Sequence, residues 1–499
     1  MLLPYWMNLT RCSSVFILGL CAVAALAQTK QQHPLFTKDL VIYEVATKSF
    51  TSPAGPESGT FRSTAARLPY LKNLGINCIW LTGHNLADNK HFYGIWTQYA
   101  VIRPDSLEPS LGTPQEFNAL IKTAHENGIK IVLDVITHGV MANSSLISQH
   151  PGWFKGGSWG MTDYDWKGNH KDLDAWWVKT WTDYVLKYDV DGFRLDVSIY
   201  RPDLWKRIKE ECAQARKPIF VLDEGSDPFS EGAFDFYQHH ARFMDHKDPV
   251  MDSSSLYLTD VASYFQRDTA SQNFYYSIQL SCHDNGWTSF PPGVNPYVAE
   301  GSRSLFGYSC LFTPSIPVFM SGEEFNADYV PLPRLSPDLF SKSRPGDSSR
   351  WLYGSWMKWD QLEDPNKRAM FNDVKHMLAI RDAEKDIIHA FQPGDKQKNI
   401  LPAFVRKSPE MVPVPYMMWN KNTALLIASN PMTEKDKEMI IDLPLNKARL
   451  TYKTYKVSNL WEGSQPVIMK AADLRFFKVF IKKDKTPKGG LAVYKFEGI

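Results

Sequence analysis

Between Asp196 and Glu224 the chain reads as one strand, one helix and a second strand. The two apolar runs are "DGFRLDVS" (Asp191 to Ser198) and "PIFVLDEG" (Pro218 to Gly225), and "RPDLWKRIKEECAQAR" joins them. Pro202 suits a first helical position, and Leu204, Ile208, Cys212 and Ala215 recur with helical spacing. A strand–helix–strand crossover is right-handed and leaves its two strands parallel. The spacing therefore predicts that Asp196 and Glu224 emerge side by side at the carboxyl-terminal edge of one sheet. A chain made of such units must bury a parallel sheet under helices, which narrows the fold sharply.

The unit repeats. "LVIYEV" (Leu40 to Val45) is a first strand, "RLPYLKNLG" a helix stopped by Gly75, and "INCIWLT" a second strand. "TPQEFNALIKTAHENG" carries a Thr113/Glu116 capping box with Pro114 at the first helical position and Phe117, Leu120, Ile121 and Ala124 on its apolar face. "IKIVLDVIT" follows as a third strand, then the helix "DAWWVKTWTDYVLKY" and the strands ending at Asp196 and Glu224. "AFDFY" (Ala233 to Tyr237), "YSIQLSCHD" (Tyr276 to Asp284) and "IPVFMSGEE" (Ile316 to Glu324) bring the strands to eight. Eight βα units imply a closed (β/α)8 TIM barrel, whose active sites lie at the carboxyl-terminal face.

With 499 residues there is room for that barrel and a smaller domain. The barrel is expected over residues 34–395. Residues 139–172 break its rhythm: "HPGWFKGGSWGMTDYDWKGNH" is rich in Gly and Trp without periodicity and reads as a short inserted subdomain over the barrel mouth. A second loop, 330–354, is rich in Pro and Ser. From 396 to 499 short alternating segments such as "YMMWNKNTALLIASN", "EMIIDL", "RFFKVFIKK" and "LAVYKFE" predict an antiparallel β-sandwich.

Residues 1–27 read as a signal peptide. Arg11 precedes "VFILGLCAVAALA", too short to span a membrane, and Ala25-Leu26-Ala27 offers a small-x-small cleavage site. The expected location is secreted or periplasmic, with lipid attachment at Cys21 as the lesser alternative because Leu20 is bulkier than the usual preceding residue. Of the remaining cysteines, Cys78, Cys212, Cys282 and Cys310 lie in apolar contexts and read as free buried thiols rather than a disulfide scaffold or a zinc site. Lys+Arg number 56 against 54 Asp+Glu, a net charge of +2 that gives no footprint for nucleic acid or an anionic membrane. Sixteen Trp, 22 Tyr and 28 Phe serve mainly a large core, but aromatic planes are also what a sugar-binding groove needs.

The chemistry sits at the strand ends. The third strand gives Asp134 and His138, the fourth Arg194 and Asp196, the fifth Glu224, and the seventh His283 and Asp284. A single Asp at a strand end is commonly a helix cap. Four such strand ends on one barrel match the way barrel enzymes draw their groups from several strands. Two neighbouring carboxylates are the equipment of glycosidic hydrolysis, one below the anomeric carbon and one donating a proton to the leaving oxygen. Arg194 is two residues before Asp196, so both side chains share a face and the cation suits Asp196 to the nucleophile role. Glu224, after an apolar strand and near other carboxylates, suits the general acid. Asp284 is the third carboxylate, placed to grip sugar hydroxyls with His138 and His283, and Asp134 supports the group. Either histidine taken alone reads equally well as a satisfied structural residue.

"DVITH", "DGFRLD", "VLDEG" and "CHD" together resemble, in order and spacing, the four conserved regions of the α-amylase family, glycoside hydrolase family 13. "VIYEVATKSF", "YLKNLGINCIWLT", "SIPVFMSGEE", "WMKWD" and "LAIRD" agree with further barrel segments, so the resemblance runs from about residue 38 to 385. It implies a retaining mechanism with Asp196 as nucleophile, Glu224 as acid/base and Asp284 as transition-state stabiliser, and Tyr93 stacking on the sugar in the cleavage subsite. Retention corresponds to catalytic carboxyls roughly 5–5.5 Å apart. Several positions depart from the family pattern. Thr137 stands where many members have an Asn that binds calcium, which argues against that ion; no other cofactor or metal is expected. Ile199 and Tyr200 replace a Lys-His pair, leaving Tyr200 to stack on the aglycone side. Gly94 replaces Asp and Cys282 replaces Asn. Val197 resembles the α-1,6-acting members.

The expected protein is an exported glycoside hydrolase cleaving α-glucosidic bonds in starch-like glucans or malto-oligosaccharides. The alternatives are an α-1,6-acting glucosidase or a transglycosylase of the same family, and, from another class, a non-catalytic glucan-binding protein. Retention of Asp196, Glu224, Asp284 and Arg194 together speaks for catalysis. Linkage, endo or exo action and oligomeric state are not legible in the sequence.

Overall fold

The computed structural model describes residues 34–90, 94–158, 160–197, 201–224, 232–240, 275–279, 283, 302–312, 314–332, 355–396, 398–407, 414–432 and 434–499. The expected signal peptide with Cys21, and Tyr93, Tyr200, Cys282 and Asp284, lie outside the described residues.

Eight parallel strands close into a barrel in sequence order: β1 (Ile42–Ala46), β2 (Cys78–Thr82), β3 (Lys130–Ile136), β4 (Gly192–Asp196), β5 (Phe220–Asp223), β6 (Phe236–His240), β7 (Tyr275–Gln279) and β8 (Ser315–Met320). Closure comes from β1, which pairs with β2 on one side and β8 on the other. The sixth strand lies three residues later than "AFDFY" suggests. The burial of Ala233 and Phe234 precedes the ladder, and Asp235 accepts the Val221 N–H at 2.8 Å and the Lys209 ammonium at 2.7 Å. The seventh strand ends at Gln279, so His283 belongs to the turn after it.

Helices α1 (Leu68–Leu74), α2 (Pro114–Glu126), α3 (Lys171–Tyr188), α4 (Pro202–Gln214), α5 (Ser302–Cys310) and α6 (Pro365–Ala383) cover the outside. The capping box forms as the sequence predicts: the Thr113 hydroxyl accepts from Glu116 N and the Glu116 carboxylate accepts from Thr113 N. Gly75, ending α1, has φ +107°, and a Cβ there would press on Leu378 of α6.

Alternation along the strands builds two cores. Tyr43, Ile79, Leu81, Ile131, Leu133, Phe193, Leu195 and Val221 pack outward against the helices. Ile42, Cys78, Val132, Phe220, Leu222, Ile316 and Val318 fill the barrel interior. One step further along the same inward rows, apolar Ile42 and Val132 give way to the wholly buried Glu44 and Asp134. The barrel is thus greasy below and charged above, where chemistry is possible.

The insertion after β3 forms a small antiparallel ladder, 139–141 against 161–163. Its Trp153 and Trp166 are buried, packed on Trp176 and Trp177 of α3 at 5.3 and 5.1 Å between ring centroids. These two rings are the insertion's core, and truncating either costs about 3–5 kcal/mol.

Beyond the barrel, β9 (Ile400–Pro402), β10 (Phe404–Lys407), β11 (Tyr416–Asn420), β12 (Thr423–Ser429), β13 (Lys437–Asp442), β14 (Thr454–Asn459), β15 (Val467–Lys470), β16 (Phe477–Ile481) and β17 (Leu491–Gly498) make two antiparallel sheets. Their orders are β9-β11-β12-β17-β14-β15 and β10-β13-β16. Met417, Leu426, Met439 and Val479 fill the space between them, while Tyr416, Met418, Leu425 and Val493 join the barrel's outer core. Asp484, from a loop of this sandwich, is buried and accepts the N–H groups of Arg303 and Ser304 at the start of α5, at 3.3 and 2.6 Å. Three cysteines, Cys78, Cys212 and Cys310, are free and buried, as their apolar contexts suggest. Among the described residues no helix is long and apolar enough to cross a membrane.

Candidate active site

The register of the ladders sets the site. Asp134 pairs with Arg194 across β3 and β4, and Leu195 pairs with Asp223 across β4 and β5. Asp196, the last residue of β4, and Glu224, the first after β5, come next, so they leave the barrel at the same height. Glu224 N donates to Leu195 O at 3.3 Å, which fixes that level.

Arg194 is wholly buried and organises the carboxylates. Its Nη1 donates to Asp134 Oδ1 and to Asp196 Oδ1, both at 3.0 Å, and its Nη2 lies 3.1 Å from Glu224 Oε1. The guanidinium carbon stands 4.8 Å over the Trp80 ring. Burial works against the charge of Arg194, but Asp134, Glu224, Tyr99 and Asp196 outweigh it and hold the guanidinium well above its ordinary range. The sequence assigns Arg194 to Asp196 through their shared face. In the folded chain its planar fork reaches Glu224 as well, a geometry that the point charge of lysine cannot reproduce. The two carboxylates then differ in access: the Asp196 side chain is 13 % exposed and that of Glu224 23 %.

Asp134 is fully buried beneath them. Its Oδ2 accepts from Trp80 Nε1 at 3.1 Å and from the Tyr99 hydroxyl at 2.5 Å. It touches Arg194 and is shut off from solvent. His138 follows β3 with its Nε2 3.9 Å from Asp196 Oδ2 and its Nδ1 3.6 Å from Asp163 Oδ1 of the insertion. Burial pushes the His138 imidazole below its usual range, with Asp163 opposing. Thr137 turns its hydroxyl toward the backbone after β4, donating to Asp196 O and Val197 O. That hydroxyl is used as a donor, and a carboxamide oxygen of the kind calcium takes is missing from the position. Among the described residues no group of three or more His, Cys, Asp or Glu is arranged to hold a metal.

His283 is buried on the far side. Its Nδ1 is 2.6 Å from Glu44 Oε1, and its ring stacks on Tyr99 at 4.7 Å. Glu44, Trp80 and Tyr99 are the residues that sequence reasoning passes over. Glu44 carried a usable signal: it sits inside an apolar strand, two residues after Ile42, and a carboxylate facing a barrel interior must have a partner. Tyr99 lies in a loop with no pattern to single it out.

The model of the alpha-amylase catalytic domain matches residues 44–151, which span β1 to β3 and the start of the insertion. The chain is 24% identical to Alpha-amylase 3 of Dictyoglomus thermophilum over 410 residues, covering 69% of this chain and 77% of that protein. The family model, this relative and the solved structures together support the α-amylase family. The chain is a glycoside hydrolase. The cyclomaltodextrinase of Thermoanaerobacter pseudethanolicus is 22% identical over 412 residues, which cover 71% of this chain and 65% of the cyclomaltodextrinase. Among solved structures, the maltogenic alpha-amylase AmyB from Thermotoga neapolitana superimposes with a TM-score of 0.67 at 17% identity, over 92% of this chain and 98% of that one. The likeness is one of fold and extends over nearly the whole chain. Between β3 and β4, Trp166 Nε1 ties the insertion to the end of β3 by donating to Thr137 O at 2.8 Å.

Proposed function

We propose that this chain is an exported, retaining hydrolase of α-glucosidic bonds in starch-like glucans and malto-oligosaccharides. The observation that carries the reading is the Arg194 fork, which holds Asp196 and Glu224 together at adjacent strand ends, 3.0 and 3.1 Å from one guanidinium. The names of the relatives, an α-amylase and a cyclomaltodextrinase, support α-glucans as the substrate class. Export rests on the leader-like first 27 residues.

The chemistry then runs in two displacements. Asp196, held ionised by Arg194, attacks the anomeric carbon while Glu224 protonates the departing glycosidic oxygen. A covalent glycosyl–Asp196 ester forms and the aglycone leaves. Glu224, now a carboxylate, takes a proton from water, whose oxygen attacks the same carbon and releases Asp196. Two inversions leave the α configuration intact. Asp284, His138 and His283 grip the hydroxyls of the distorted sugar, and Tyr93 and Tyr200 offer it aromatic faces. Thr137 fits no calcium, and no step is assigned to one.

Asp196→Asn should lose activity by several orders of magnitude while its melting temperature and glucan binding stay near those of the native enzyme. Near-native turnover in that variant would sink the mechanism. A product time course on α-1,4 and α-1,6 oligosaccharides and on starch distinguishes the hydrolase from an α-1,6-acting glucosidase or a transglycosylase. Glucan binding without any product would point to the non-catalytic alternative.

A further inference from the structure

Thr137 is buried immediately after β3. Its Oγ1 lies 2.6 Å from Asp196 O and 2.8 Å from Val197 O, so a single hydroxyl proton ties down two consecutive carbonyls. The residue between those carbonyls, Val197, has φ +50°. Left-handed backbone is sterically costly for a β-branched side chain and persists only where its surroundings enforce it. In this conformation the Val197 N–H turns back across the strand end and donates to Glu224 Oε2 at 2.8 Å. Thr137 is itself held from behind by Trp166 Nε1 on its carbonyl, and the next residue by Tyr164 N on His138 O, both at 2.8 Å. A continuous line therefore runs from the core of the insertion, through Thr137, to the turn after Asp196 and on to Glu224.

We propose that Thr137 is a positioning residue for Glu224: its hydroxyl holds the left-handed turn at Val197, and that turn's amide fixes how Glu224 presents its proton to the glycosidic oxygen. The inference rests on the reading of Glu224 as acid/base. Arg194 grips Oε1 of Glu224, and the Val197 N–H grips its Oε2. Without the Thr137 hydroxyl, Val197 relaxes to negative φ and its N–H swings away. Glu224 Oε2 then loses the amide that fixes its angle, and the carboxyl turns more easily about its last torsion. Asp196 keeps its own bond to Arg194, so the nucleophile is disturbed less than the acid.

The test compares two substrates that differ in their need for a proton: an unsubstituted malto-oligosaccharide and its 4-nitrophenyl glycoside, whose leaving group departs unaided. Thr137→Val, which deletes only the hydroxyl, should lower kcat on the oligosaccharide on the order of tenfold. It should change kcat on the aryl glycoside far less, and Thr137→Ser should restore both. Equal loss on the two substrates, no loss on either, or a serine that fails to restore the oligosaccharide rate overturns the proposal. Should Thr137→Val fail to fold, Trp166→Phe removes the donor behind Thr137 and is judged on the same bias. Glu224→Gln serves as the reference. If it shows no leaving-group bias, the reading of Glu224 falls and the clamp with it. If it is biased while Thr137→Val is not, only the clamp falls.

Discussion

Glu44 Oε1 lies 2.6 Å from Nδ1 of His283, although 239 residues separate them in the chain. Both side chains are buried, so the contact is a charge-assisted hydrogen bond shielded from solvent. It orients the imidazole together with the stacked Tyr99 ring. Glu44→Gln keeps the shape and removes the charge. Losing such a bond costs about 1.5–3 kcal/mol, so kcat/KM should drop between about tenfold and a hundredfold, mostly through KM if His283 binds a substrate hydroxyl. Steady-state kinetics beside a melting curve would check this, and an unchanged KM would remove His283 from the substrate site.

Arg194→Lys should be far more damaging than its conserved charge suggests. One ammonium cannot reach Asp134, Asp196 and Glu224 from a single buried position, as the guanidinium does at 3.0 to 3.1 Å. At least one carboxylate is then left buried without its partner, a cost of about 3–5 kcal/mol. Activity should fall at least a hundredfold and the melting temperature should drop by several degrees. A lysine variant with ordinary activity would show that the fork is not what holds the pair.

How much of this was legible follows from where the information lies. Asp196 and Glu224 announce themselves because each closes an apolar run before a turn, and Asp134 because it is a lone charge inside one. The barrel order follows from repeated crossovers. Strand β6 was readable only approximately, since Ala233 and Phe234 are buried before any ladder begins. The partners that finish the site were hidden for a different reason. Glu44, Trp80 and Tyr99 come from segments far apart, and only barrel closure brings them within hydrogen-bonding reach of Asp134 and of His283, which the sequence does single out. Apart from the carboxylate of Glu44 inside an apolar strand, local pattern carries no trace of such contacts. The Trp-rich insertion misleads in the opposite direction, because Trp153 and Trp166 are spent on its own core.

Asp484 makes stability depend on pH. Burial raises its carboxyl from 3.8 to about 7, against the N–H groups of Ser304 and Arg303 and the charge of Arg303, which favour the anion. A folded-state value above the unfolded one means that the native protein holds the proton more tightly. The resulting stabilisation is complete below the unfolded value, declines as pH rises from about 4 to about 7, and is absent above. Asp484→Asn cannot titrate, so it should flatten this part of the melting-temperature profile while leaving the sandwich folded. An unaltered slope in that variant would assign the pH dependence to other groups, such as Glu324, which burial also raises to about 7.

Thr137 gives a prediction about calcium. Its hydroxyl donates to Asp196 O and Val197 O and so draws together two carbonyls that a cation could otherwise bind. The turn after β4 is closed by this hydroxyl. If calcium nevertheless stabilised the protein at a hundred times its Kd, it would contribute about 2.7 kcal/mol. For a chain of this size that is a shift of several degrees in melting temperature. Treatment with a chelator should therefore leave the melting curve and the activity where they were, and added calcium should not raise either. A drop of several degrees, reversed by calcium but not by magnesium, would mean that the turn at Val197 is held by an ion and that the Thr137 bonds are secondary to it.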